Sequence, residues 1–121
     1  MMMGIVLLGS TGSIGRSTLA VIRENREHFR LLALAAGGNT QLLEKQIVEF
    51  APQTVSVRGE KAARALRERF PGLQVLHGAA GLDELVSLPG CDCVVAAING
   101  TDGMAAAFQA IRLKRRLCLA N

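Results

Sequence analysis

Ile5-Val-Leu-Leu8-Gly9-Ser-Thr-Gly12-Ser-Ile-Gly15 is the stretch whose reading decides the fold. Four apolar residues in succession, Ile5 to Leu8, suit a strand buried on both faces. The glycines that follow are spaced Gly-x-x-Gly-x-x-Gly, and apolar residues at helical spacing begin at Ile14. In a strand–turn–helix unit each glycine has a physical task. Gly9 lets the chain leave the strand in a tight turn without a Cβ clash. Gly12 lets the backbone approach an anion, which then meets free N–H groups at the positive end of the helix. Gly15 allows helix and strand to pack closely. Ser10, Thr11 and Ser13 add hydroxyl donors around the same point. A plain tight turn with no ligand fits these residues too, so the rest of the chain must discriminate. No Gly-Lys-Ser/Thr follows, which excludes the usual mononucleotide phosphate loop.

Outward from this stretch, short apolar runs recur at Leu31–Ala36, Val94–Ile98 and Leu117–Ala120, with weaker ones at Thr54–Val57 and Leu73–Leu76. Amphipathic segments with helical spacing lie between them. The first carries Ile14, Thr18, Val21, Ile22 and Phe29 on one stripe. A second gathers Leu42, Leu43, Gln46, Ile47 and Phe50, capped by Asn39 or Thr40 and stopped by Pro52. The third spans Glu60 to Phe70 with Ala63, Leu66 and Phe70 inward, and a short fourth covers Leu82 to Leu88. The fifth starts at the N-cap pair Thr101-Asp102 and runs to Leu113 through Met104, Phe108 and Ile111. Strand and helix in alternation predict an α/β fold, a Rossmann-like doubly wound and mostly parallel sheet, as a single domain over residues 1–121. The last run leads straight into Asn121, where a parallel strand would deliver its end to a ligand crevice. The chain is therefore expected to be a truncated fragment of a larger protein.

The bulk numbers agree with one soluble domain. In 121 residues, half are apolar and a fifth charged, enough for one ordinary core. No apolar run of about eighteen residues is present and the start lacks a basic n-region, so a cytoplasmic protein with no membrane partner is expected. The three cysteines are odd in number and sit in or beside apolar runs, which argues against a disulfide framework. Cys91-x-Cys93 would place two thiols on one strand face, but no second ligand pair lies near, so buried strand cysteines are the reading taken. A net charge of +4 raises the question of nucleic acid. The basic cluster Arg112, Lys114, Arg115 and Arg116 falls at a helix end, where cations complement the dipole. With no Trp or Tyr, stacking platforms for bases are hard to build, and nucleic acid is rejected as a partner.

A Gly-rich turn directly after a buried strand and before a helix, in the first such unit, is the fingerprint of a dinucleotide site. The end of the second strand bears on which dinucleotide. There a carboxylate would grip the ribose 2′-hydroxyl of NADH, but the chain reads Ala36-Gly37-Gly38-Asn39-Thr40. Nothing repels a 2′-phosphate and Asn39 can donate to it, which favours NADPH. A simple glycine turn before a helix is compatible with the same residues. By the crevice rule Ala97, Asn99 and Asn121, at later strand ends, flank the nicotinamide end; Asn121 is equally a turn residue on this evidence. His28 and His77 fall at element ends and are read as surface residues, so no catalytic residue and no metal ligand is assigned.

Several segments together resemble the start of 1-deoxy-D-xylulose 5-phosphate reductoisomerases. They are Gly9–Gly15 with Ser17-Thr18-Leu19, Glu27-His28-Phe29, Ala35-Ala-Gly-Gly-Asn39, Ala96-Ala-Ile-x-Gly100 and the closing Leu119-Ala120-Asn121. That resemblance implies an N-terminal NADPH-binding domain. Thr11, Gly12, Ser13 and Ile14 match the family's pyrophosphate loop, Gly37, Gly38 and Asn39 match the segment at the adenosine ribose phosphate, and Asn121 matches a cofactor-contacting asparagine. Many relatives carry lysine where this chain has Gly38, a departure that bears on 2′-phosphate recognition. The family rearranges 1-deoxy-D-xylulose 5-phosphate and reduces the product with NADPH to 2-C-methyl-D-erythritol 4-phosphate for isoprenoid synthesis. Its catalytic lysine and acid, the carboxylates for a divalent metal (Mg or Mn), the lid and the C-terminal domain all lie beyond Asn121. The whole protein is expected to be a homodimer acting on that sugar phosphate, and this chain to be inactive alone. Two other readings stay open: the Rossmann domain of another NADP-dependent oxidoreductase, such as the semialdehyde dehydrogenase type, and a non-catalytic dinucleotide-sensing module.

Overall fold

The computed structural model describes residues 2–98 and 100–120. Six strands alternate with five helices: β1 (Met3–Leu8), α1 (Ser13–Glu24), β2 (Phe29–Ala35), α2 (Thr40–Phe50), β3 (Thr54–Val57), α3 (Glu60–Arg69), β4 (Gln74–His77), α4 (Gly78–Val86), β5 (Cys93–Ala96), α5 (Thr101–Arg112) and β6 (Arg116–Leu119). The strands form one sheet in the order β4-β3-β2-β1-β5-β6, and every pairing is parallel. From β1 the chain works outward through β2, β3 and β4, then crosses to the other side of β1 for β5 and β6. The topological switch therefore falls between β1 and β5, where a doubly wound sheet opens its ligand crevice.

Apolar surface on both faces of the sheet is covered by helices. One face packs Ile5, Leu7, Leu34 and Val55 against Leu19 and Ile22 of α1, Leu43 and Ile47 of α2, and Ala63 and Leu66 of α3. The opposite face packs Val6, Leu8, Ala33 and Val94 against Leu82, Leu85 and Val86 of α4 and Ala106 and Ala110 of α5. Burial on both faces explains why these strands read as continuous apolar runs instead of alternating ones.

The order of elements follows the sequence reading, but several side chains do not. On α1 the buried positions are Gly15, Leu19 and Ile22, whereas Ile14 and Val21 are exposed. Close packing at Gly15 turns the helix to this face. Phe29 opens β2 and is not part of the helix. On α5 the inward residues are Gly103, Ala106, Ala107 and Ala110, and Met104, Phe108 and Ile111 are each more than half exposed. A helix with two apolar stripes seats the smaller one where the backbone must approach the sheet: a Cβ on Gly103 would fall 2.6 Å from the Ile98 carbonyl oxygen. The cap of α5 is Gly100, with no side-chain bond, not Thr101-Asp102.

Two further residues depart from expectation. Arg115 is not simply solvated; its guanidinium donates to the Val86 and Leu88 carbonyls, both at 3.2 Å. Those carbonyls lie at and beyond the end of α4, where helical acceptors lack partners. Cys91 and Cys93 are buried as expected, but on opposite faces of the sheet, because Cys91 lies before the strand proper. Burial pushes the Cys93 thiol up to about 11, aided by the neighbouring Cys118, and raises Cys91 as well. Cys118, on the edge strand β6, is exposed.

Candidate functional site

The C-terminal edge of the sheet gathers the turn after β1, the Gly37–Asn39 segment after β2, Arg58 after β3 and Ala97 after β5. Asn99 and Asn121 lie outside the described residues.

The turn is built around backbone contacts. Gly9 has φ +95, and a Cβ there would fall 2.7 Å from the Ala97 carbonyl oxygen, so both conformation and space require glycine. The N–H groups of Gly9 and Ser10 both donate to the Ala35 carbonyl, at 2.8 and 2.9 Å, and Ala97 N–H donates to Leu8 at 2.8 Å. These bonds lock the turn to the ends of β2 and β5. Gly15 packs on the turn more than on the strand: its Cβ would lie 2.0 Å from the Gly9 carbonyl oxygen and 2.8 Å from backbone atoms of Ser10.

Gly12 behaves differently. It caps α1 in an extended conformation, with φ −79 and ψ 176, and among the described residues no side chain caps the helix end. A Cβ on it would meet only the Gly9 carbonyl oxygen, at 3.9 Å. The leading N–H groups of α1 are therefore uncapped behind an open approach, which is the arrangement that receives an anion. Gly12, Ser13 and Ile14 are exposed there and Thr11 is partly so.

Ser10 corrects the sequence reading. It is fully buried, its hydroxyl has no partner among the described residues, and its N–H is already taken. Buried and with its N–H engaged, it presents no donor to an external anion. Its carbonyl accepts 2.9 Å from Nε2 of Gln46 on α2. Sequence reasoning counted Gln46 within an apolar stripe; a polar residue at a core position was the available signal for this strut.

At the second segment, Asn39 caps α2 by accepting from Leu42 N–H at 3.1 Å, as one of the two expected caps. Its amide nitrogen donates to no other described residue. Gly37 borders a cavity of about 140 Å³ lined also by Ala36, Ser56, Val57, Arg58, Ile98 and Asp102. Arg58 was missed in the sequence, since a single arginine after a weak strand carries no pattern. Among the described residues no group of three or more His, Cys, Asp or Glu side chains could hold a metal. None of their helices is long and apolar enough to cross a membrane.

A sequence profile described as 1-deoxy-D-xylulose 5-phosphate reductoisomerase matches residues 5–121. The chain belongs to this family. The reductoisomerase of Caldanaerobacter subterraneus subsp. tengcongensis is 44% identical over 118 residues, covering 97% of this chain and 31% of the relative. That of Thermodesulfovibrio yellowstonii is 40% identical over 117 residues, with the same coverage. The chain thus spans about a third of the length of these reductoisomerases. Among solved structures, the Zymomonas mobilis reductoisomerase in complex with NADPH superposes with a TM-score of 0.91 at 31% identity, over 100% of this chain and 32% of that one. A DOX-P reductoisomerase in complex with NADPH, fosmidomycin and magnesium gives 0.93 at 32% identity, over 99% of this chain and 30% of that one.

Proposed function

We propose that residues 1–121 are the N-terminal NADPH-binding domain of a 1-deoxy-D-xylulose 5-phosphate reductoisomerase. The observation that carries this is the uncapped start of α1 behind Gly12, at the switch between β1 and β5. Backbone N–H groups and the helix dipole there suit the two negative charges of a pyrophosphate. Thr11, Gly12, Ser13 and Ile14 would hold it, with Gly9 and Gly15 shaping the turn. Gly37, Gly38 and Asn39 would meet the adenosine ribose, a segment that itself carries no Asp or Glu to repel a 2′-phosphate. Ala97, with Asn99 and Asn121, would border the nicotinamide end. The relative solved with NADPH supports the choice of dinucleotide.

Bound NADPH supplies a hydride; the residues of this chain bind and orient it. In the whole protein the hydride would reduce the product of 1-deoxy-D-xylulose 5-phosphate rearrangement, in the cytoplasm and within a homodimer. Magnesium stands in the name of related complexes, but the described residues form no cluster suited to it, so no step through a metal is assigned to them. Titration of the chain with NADPH in a calorimeter tests the reading. Weak but saturable binding is expected, because only part of the site is at hand. No heat at millimolar NADPH would overturn it.

A further inference from the structure

The lack of a carboxylate in Gly37–Asn39 explains why a 2′-phosphate is tolerated by this segment, but not what attracts it. Asn39 offers one neutral amide, its oxygen being committed to the α2 cap, and Gly38 has no side chain. A charged group is needed for a firm grip on a dianion.

Arg58 stands where such a group would act. It is the first residue after β3, and β3 pairs directly with β2. A Cβ placed on Gly37 would fall 3.0 Å from Arg58 Nη2, so the guanidinium reaches over the Gly37 backbone. Beside Gly38 nothing lies within 4 Å of a Cβ position, leaving open space next to the guanidinium. The Arg58 side chain makes no hydrogen bond or ion pair with the other described residues, unlike Arg23, Arg64 and Arg69, which face Glu49, Glu60 and Glu44. The cavity it borders contains one carboxylate among the described residues, Asp102, in the first turn of α5.

We propose that Arg58 is the specificity-determining cation for the 2′-phosphate of NADPH in this chain, reached from β3. This rests on the dinucleotide reading above. A planar guanidinium presents two parallel donors to phosphate oxygens, and Asn39 Nδ2 adds a third from the other side. The adenine then enters the 140 Å³ cavity between Ala36 and Ile98.

Arg58→Gln and Arg58→Lys, compared with the unaltered chain, test the proposal by calorimetry with NADPH and NADH. Arg58 is exposed and makes no hydrogen bond or ion pair with the other described residues, so thermal melting should be unchanged and folding is not at issue. Arg58→Gln is expected to weaken NADPH about tenfold, the scale of one charge-assisted hydrogen bond, and NADH less than about twofold. Arg58→Lys should recover part of the loss. Equal weakening of both dinucleotides would mean the guanidinium stacks on adenine, and would overturn the proposal. So would an unchanged ratio in a chain that still binds both. Failure of the unaltered chain to bind either dinucleotide would instead overturn the dinucleotide reading itself.

Discussion

Replacing Gly15 by alanine isolates the packing role of the glycine turn. The new Cβ would lie 2.0 Å from the Gly9 carbonyl oxygen and 2.8 Å from Ser10 Cα and carbonyl carbon. Ordinary contact begins near 3.4 Å, so turn and helix must separate by about 1.4 Å, allowing for the line of contact. Neither side can yield cheaply. Gly9 and Ser10 are tied through their N–H groups to Ala35, Gln46 holds the Ser10 carbonyl, and Leu19 and Ile22 seat α1 in the core. Overpacking of this kind costs about 1–3 kcal/mol. For a domain of this size that is a drop of roughly 4–12 °C in melting temperature. Urea unfolding followed by circular dichroism measures it, with Gly12→Ala as the matched control. The control Cβ meets a single atom at 3.9 Å in an ordinary backbone conformation, so it should cost under about 1 kcal/mol. If Gly15→Ala matched wild-type stability within about 0.5 kcal/mol, the close approach of helix to turn would be wrong.

Three other outcomes follow from the same geometry. Gly12→Val should leave the melting temperature near its original value yet abolish NADPH binding in calorimetry, since its side chain would fill the approach to α1; retained affinity would remove the turn from the site. Arg115→Ala should lower stability in urea by about 1–2 kcal/mol through two lost bonds to carbonyls at the end of α4, and Arg115→Lys should restore it only in part because it lacks the fork. In the folded chain at pH 8, one thiol should react quickly with Ellman's reagent. Cys118 is exposed, whereas burial raises the Cys91 and Cys93 thiols above their ordinary range, so the reactive thiolate is scarce until the pH climbs toward 11 at Cys93. Three fast thiols would mean the core around β5 is open.

The fold was legible because periodicity carries it. Continuous apolar runs from Ile5 and Leu31 suit strands covered on both faces, and Pro52 and Asn39 bounded α2 where the structure ends it. Side-chain facing was less legible where a small residue outcompeted a large one. On α5 the alanine stripe lies inward and Phe108 outward, since tightness of approach, not apolarity, chose the face. In the turn, the tight conformation of Gly9 and the close packing of Gly15 were readable from spacing, whereas the burial of Ser10 was not, because a hydroxyl in sequence has no direction. Gln46 and Arg58 escaped for the opposite reason. Their neighbours, the Ser10 carbonyl and Gly37, lie 36 and 21 positions away, and only strand order brings them close.

The most direct test of the central claim is amide chemical-shift mapping of the ¹⁵N-labelled chain during titration with NADPH. The largest, saturable shifts are predicted at Thr11–Gly15 and at Gly37–Asn39, the two segments proposed to hold pyrophosphate and ribose phosphate. Shifts confined to other surfaces, or none in these segments at saturation, would contradict the claim that this edge of the sheet holds the dinucleotide.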